Sequence, residues 1–154
     1  MPRDAQEVGT TVIPGHPDAA DVIRRSREAC AALSDDHDGL KRDILGHAGN
    51  RWSLGVVYAL GVKSPLRHAE LSRHLDGVTQ RMLTRTLRQL ERDGLISRRD
   101  FREVPPKVEY ALSEAGMGLL LRMMPLWTWV IDNADTFAEA RKRFDKQTGA
   151  SATP

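Results

Sequence analysis

Val78 to Ile96 reads VTQRMLTRTLRQLERDGLI, and the spacing within it predicts a helix with two unlike faces. Leu83, Leu87 and Leu90 fall at i, i+4 and i+7, which places three apolar side chains on one side and gives the segment a face to bury. Arg81, Arg85, Arg88 and Arg92 fall on the opposite side, bordered by Gln80 and Thr84 toward the N-terminal end. Thr79 is the expected N-cap, because its hydroxyl can accept a hydrogen bond from an orphan amide of the first turn. Gly94 sits where a left-handed residue commonly ends a helix.

An arginine stripe alone is what any solvated helix face can carry, since arginine is a good helix former at a surface. Its surroundings point further. A short apolar helix is expected just before it and two short strands just after it, and the nearby carboxylates, Glu91 and Asp93, are confined to its C-terminal turn. Arginine and glutamine also carry the forked donors and acceptors that match the edges of guanine and adenine. The segment is therefore read as a helix built to lie in the major groove of DNA.

Outward from that helix the chain falls into place on both sides. Arg67 to Leu75 is expected to be a helix with Ala69, Leu71 and Leu75 inward, and Asp76-Gly77 turns directly into the arginine helix, as in a helix-turn-helix. Trp52 to Val62 carries Leu54, Val56, Val57, Tyr58 and Leu60, is apolar nearly all round, and belongs at the centre of the domain with Ser53 capping or opening it. Asp18 to Leu33 and Leu40 to Ala48 suit two short amphipathic helices, with the run SDDHDG from Ser34 to Gly39 breaking the pattern between them. Met1 to Pro17, with three prolines and two glycines, is read as a flexible arm.

On the other side, Ile96 to Phe101 and Lys107 to Leu112 suit short strands joined through Pro105-Pro106. This ribbon is read as a wing whose Arg98, Arg99, Arg102 and Lys107 meet phosphates or enter a minor groove. Ser113 and Glu114 open a long helix with more apolar surface than one small core can bury, which predicts a subunit interface made by Leu120, Met124, Trp127, Val130 and Ile131. Pro125 removes a backbone donor within it, so a kink or break is expected there. Glu139 to Lys146, around Phe137 and Phe144, is expected to continue as a short helix, and the last residues to fray.

Composition narrows the function class. At 154 residues the chain is expected to be one domain with extensions. The net charge is only +2, yet from Arg67 to Arg102 there are nine Arg/Lys against five Asp/Glu, so the basic excess lies where a nucleic-acid surface needs it. The single cysteine, Cys30, allows no internal disulfide, and no apolar run resembles a signal peptide or a membrane span, so a cytoplasmic protein without membrane partners is expected. Cys30, His37 and the nearby aspartates show no repeated ligand spacing, so neither metal nor cofactor is expected. No paired carboxylates, Ser/His/Asp set or phosphate-binding glycine loop presents itself, and an enzyme is not expected.

The run from Asn50 to Asn133 resembles the HxlR-type branch of the MarR-like winged-helix transcription regulators. The resemblance is carried by NRWSL at Asn50 to Leu54, HAELSRHLDGVTQRMLTRTLRQLERDGLI at His68 to Ile96, EVPPKVEYALSEAG at Glu103 to Gly116, and Trp129. It implies a two-fold dimer made by the long helix and an N-terminal helix, with Thr79 to Gly94 of each subunit in a major groove. Many such regulators carry a redox-sensing cysteine, commonly in a Cys-Pro pair, a short way before the residues matched by Asn50-Arg51-Trp52. Here Asp38 lies near that place, and Cys30, followed by Ala31, is a weak redox candidate.

The expected protein is mainly α with a small β-wing, an α+β winged helix-turn-helix with an added N-terminal helix and a long C-terminal dimerisation helix. Residues 1–38 form the arm and N-terminal helix, 39–133 the HxlR-type domain with its dimerisation helix, and 134–154 an extension. It is expected to be a sequence-specific, homodimeric DNA-binding regulator, a repressor, on a pseudo-palindromic operator. Thr79, Gln80, Arg81, Thr84, Arg85, Arg88, Arg99, Arg102 and Lys107 are its DNA-facing residues. Its partners are double-stranded DNA and a second copy of the chain, with a small-molecule effector left open. The competing expectation is a winged helix that serves only as a protein-interaction module.

Overall fold

The computed structural model describes residues 19–149. The arm expected over Met1 to Pro17 and the last residues, 150–154, lie outside them. Two compact units divide between Leu45 and Gly46.

In the first unit, helix α1 (Ala19–Ala31) buries none of its residues and leaves Val22 and Ile23 exposed. Within it Arg24 pairs with Asp21 and Glu28, and Arg25 with Asp21. Helix α2 (Asp35–Gly49), whose residues from Gly46 on belong to the second unit, starts five residues before the expected Leu40, so the SDDHDG run does not break the helix but begins it. The hydroxyl of Ser34 accepts the His37 N–H at 3.4 Å, and the Ser34 carbonyl accepts the Asp38 N–H at 2.9 Å. Asp38 then pairs with Lys41 and Arg42 one turn on. An N-cap serine followed by acidic residues is a helix start, and the glycine inside it was outweighed.

The second unit holds the core. Helix α3 (Arg51–Val62) is its centre, with Val56, Val57, Ala59 and Leu60 buried. Asn50, not Ser53, is the cap: its side-chain oxygen accepts the N–H groups of Trp52 at 2.9 Å and Ser53 at 3.0 Å. Ser53 is buried instead. Helix α4 (His68–His74) and helix α5 (Gln80–Arg92) follow, with Leu71 and Leu75 inward; Ala69, expected inward, is exposed. Leu66, just before α4, is fully buried. Leu83, Leu87 and Leu90 of α5 are buried as their spacing predicts, each contributing roughly 1.5–3 kcal/mol relative to exposure.

The sheet has three strands, not the two of the expected ribbon. Strands β2 (Ile96–Asp100) and β3 (Val108–Leu112) pair antiparallel with Ile96 opposite Leu112 and Asp100 opposite Val108. The third, β1 (Leu66–Arg67), pairs on the other side of β3 with Leu66 opposite Tyr110. Two residues carry no periodicity, so only the distant pairing partner defines this strand.

Helix α6 (Glu114–Asp132) begins at Ser113, whose hydroxyl accepts the Gly116 N–H at 3.0 Å, and runs unbroken across Pro125. Helix α7 (Ala134–Gly149) is longer than the segment expected and buries none of its residues. Trp129 of α6 meets Phe137 of α7 edge-on, ring centroids 5.6 Å apart. No described helix is long and apolar enough to cross a membrane.

Candidate nucleic-acid interface

The apolar side of α5 anchors to α3 and leaves the arginine side free. Thr79 is extended, and its hydroxyl accepts the Met82 N–H at 3.2 Å, which fixes where the helix starts. At the other end Gly94 takes φ +73°, a left-handed conformation that glycine adopts without a Cβ penalty. Gln80, Arg81, Thr84, Arg85, Arg88, Gln89 and Arg92 together line one open groove on the outer face. All seven are exposed, and among the described residues none of the four arginines makes an ion pair. Unpaired guanidinium groups on a rigid, anchored helix are free to take phosphate oxygens or base edges.

Thr84 has a neighbour the sequence did not announce. His68, the first residue of α4, places its Nε2 3.2 Å from the Thr84 Oγ1, so the two helices of the motif touch on the outer side as well as through the core. At the start of α4, the Glu70 carboxylate accepts the Arg67 N–H at 2.8 Å, which holds that carboxyl below its usual pKa.

The wing cations are arranged around Phe101. The Arg99 guanidinium lies over its ring at 4.6 Å and the Lys107 ammonium at 4.2 Å, so residues eight apart in sequence share one aromatic platform. Arg102 has φ +53°, unusual for a residue with a Cβ, and its N–H is held by Asp100 Oδ1 at 3.0 Å. That backbone bond, with the Arg98 guanidinium at 3.1 Å, lowers the Asp100 pKa. Arg98 is thereby engaged within the wing, and Lys107 is shared with Glu109 at 3.4 Å, whereas Arg102 projects exposed from the bend.

The residues assigned to a subunit interface divide into two groups. Leu120 is buried in the chain's own core, against the backbone of Gly61, and Met124 packs at the core's edge. Trp127, Val130 and Ile131 stay exposed, at 41%, 43% and 63%, and Leu121, Leu126 and Trp129 join them. Trp127 is steadied by Tyr58, ring centroids 5.7 Å apart. The helix faces its own core through Leu120 and Met123, and its exposed apolar residues run from Met117 and Leu121 to Ile131.

Cys30 is exposed on α1, with the Lys41 ammonium 3.6 Å from its sulfur. Among the described residues no group of three or more His, Cys, Asp or Glu is placed to hold a metal ion. One buried polar cluster escaped the sequence altogether. His47, in the last turn of α2, lies between Ser53 of α3 and Asp93 at the end of α5.

Comparison with known proteins agrees with this architecture. Residues 47–137 match the model of the HxlR-like helix-turn-helix family. YdeP of Bacillus subtilis (strain 168), an uncharacterised HTH-type transcriptional regulator, is 38% identical over 117 residues, which is 73% of this chain and 91% of YdeP. Among solved structures, a chain assigned to the MarR family of transcriptional regulators from Enterococcus faecalis V583 is similar with TM-score 0.54 and 36% identity, over 73% of this chain and 96% of that one. The redox regulator HypR in its reduced form is similar with TM-score 0.57 and 35% identity, over 62% and 94%. The matched span runs from the last turn of α2 through the wing into α7 and covers every element just described around α5: this chain belongs to the HxlR-like helix-turn-helix family of transcription regulators.

Proposed function

We propose that the chain is a homodimeric, sequence-specific transcription regulator, a cytoplasmic repressor, that binds a pseudo-palindromic operator. The observation that carries the reading is the outer face of α5, four exposed arginines without ion-pair partners among the described residues, on a helix whose opposite face is locked into the core. Arg81 and Arg85, with Gln80 and Thr84, are assigned to base edges. Thr79, Arg88, Arg99, Arg102 and Lys107 are assigned to the backbone of the duplex. Residues 39–133 are the working domain in this reading, with 1–38 and 134–154 as extensions.

A winged helix that only held another protein would have no use for that face, and titration against salt separates the two. Affinity for a duplex should fall steeply as salt rises, with a log-log slope of about −0.9 for each phosphate neutralised. An affinity for duplex DNA that is immeasurable at ~50 mM salt would move the protein-interaction reading to first place. Within the same assay, Arg102→Ala should weaken specific and scrambled duplexes alike and flatten the slope by about one unit.

The second copy is assigned to the exposed stripe of α6. Its exposed tryptophans and aliphatics form the kind of patch that rarely faces water in a monomer. Ile131→Asp should turn a dimer into a monomer by sedimentation at micromolar concentration, while a wild-type chain already monomeric there would refute the assignment. Repression by displacement of other proteins from a promoter requires no second activity of the chain.

Cys30 is assigned no part in signalling. It lies on α1, outside the span matched by the family. Cys30→Ser should leave operator affinity unchanged, and mild peroxide should affect wild type and variant equally. Release from DNA in oxidised wild type alone would reverse the assignment.

A further inference from the structure

His47 is buried, and both of its ring nitrogens are engaged. Nδ1 lies 3.0 Å from the Ser53 hydroxyl and Nε2 lies 2.7 Å from the Asp93 carboxylate. An ionised carboxylate has no proton to give, so the imidazole N–H donates to Asp93, while the hydroxyl of Ser53 can serve the other nitrogen. The two side chains are only 8% and 12% exposed, so little water competes for this bond.

Asp93 occupies a particular place in the fold. It is the C-cap of α5, its own N–H is spent on the Gln89 carbonyl at 3.0 Å, and the next residue, Gly94, turns the chain toward β2. From the far side Ser113 donates its hydroxyl to the Gly94 carbonyl at 2.6 Å and its N–H to the Leu95 carbonyl at 3.1 Å. The joint between the arginine helix and the wing is therefore pinned twice, by His47 on one side and by the start of α6 on the other.

We infer that His47 is a positioning residue for DNA recognition, acting through Asp93 to fix the direction of α5 relative to the wing. The inference rests on the DNA-binding reading above. A buried ion pair or polar pair adds little net stability compared with an apolar pair of the same volume. Its particular property is direction, because the bond forms only when ring and carboxylate meet in one orientation. A rotation of α5 about this joint would move Arg81 and Arg85, at the far end of the helix, by more than it moves the wing. Specific binding depends on that register, and non-specific binding to phosphates does not.

Two amides separate positioning from mere burial of a polar group. His47→Gln carries its amide N–H about as far out as Nε2 and should still reach Asp93, whereas His47→Asn can meet Ser53 but stops short. The probes are duplexes recovered from a randomised pool by the wild-type protein, compared with a scrambled duplex, at a temperature where circular dichroism shows each variant folded. His47→Gln should keep the specific-to-scrambled affinity ratio within about threefold of wild type, and His47→Asn should lower it about tenfold, as expected for one lost charge-assisted bond. Equal ratios for the two variants, whether both preserved or both reduced, would overturn the inference. Should His47→Asn fail to fold, Asp93→Ala leaves the backbone cap of α5 in place and should show the same tenfold loss, a wild-type ratio again overturning it. A wild type that enriches no sequence from the pool overturns the DNA-binding reading itself, a failure visible before any variant is made.

Discussion

Alanine at both Arg81 and Arg85 is expected to abolish specific recognition while leaving a folded dimer that still adheres weakly to any duplex. Each side chain should account for about 1–3 kcal/mol on a specific site, and the pair for about 2–6 kcal/mol if the contacts are independent. The reason is placement. Both lie one turn apart in the N-terminal half of α5, both are exposed, and neither supports the core, which the helix reaches through Leu83, Leu87 and Leu90. The unfolding transition should therefore stay where it is in the wild type, and anisotropy titrations of specific and scrambled duplexes at one salt concentration should diverge. Unchanged affinity of the double variant for a selected duplex would remove α5 from the recognition role.

Gly116→Ala is expected to cost about 3 kcal/mol of stability and to lower Tm by roughly 10 °C. A Cβ at this position would fall on the backbone carbonyl of Leu95, and it would lie 2.7 Å from a Leu112 methyl. Backbone cannot swing aside as a side-chain tip can, and this carbonyl already accepts the Ser113 N–H, so the start of α6 would have to lift from the joint between α5 and β2. Gly118→Ala, two residues on, supplies the control. Its Cβ would meet only the end of Arg122 at 3.3 Å, so the ordinary gain of about 0.5–1 kcal/mol for alanine over glycine inside a helix should appear. Thermal melts of the two variants should move in opposite directions, and a Gly116→Ala melt at or above wild type would show that the close approach is not a constraint.

What the chain disclosed in advance was local and periodic. The leucine spacing in α5, the caps at Thr79 and Gly94, and the serine opening α6 are signals contained within one or two helical turns, and each took its expected place. What stayed hidden was non-local. Strand β1 is two residues long and exists because Tyr110 and Glu109 lie opposite it, and the partners His47 and Asp93 are 46 residues apart. Ala69 and Leu120 show a further limit: periodicity assigns residues to a face, but only packing decides which face meets the core. The platform of Phe101 combined both kinds of signal, since Arg99 is its near neighbour while Lys107 arrives across the ribbon. At α2 the signal was local but misread, because an N-cap serine ahead of aspartates resembles a turn until the helix behind it is seen.

Methylation interference on a selected duplex tests the central claim most directly, because dimethyl sulfate marks guanine N7, an acceptor on the floor of the major groove. If α5 of each subunit reads base edges there, methylated guanines should block binding in two symmetric clusters, centred about 10–10.5 base pairs apart or at a multiple of that spacing. Arg81→Ala or Arg85→Ala should erase the interference at individual guanines within both clusters while leaving the others. Interference confined to one cluster, absent from guanine N7 altogether, or unchanged in both arginine variants would contradict a two-fold regulator that reads DNA through this helix.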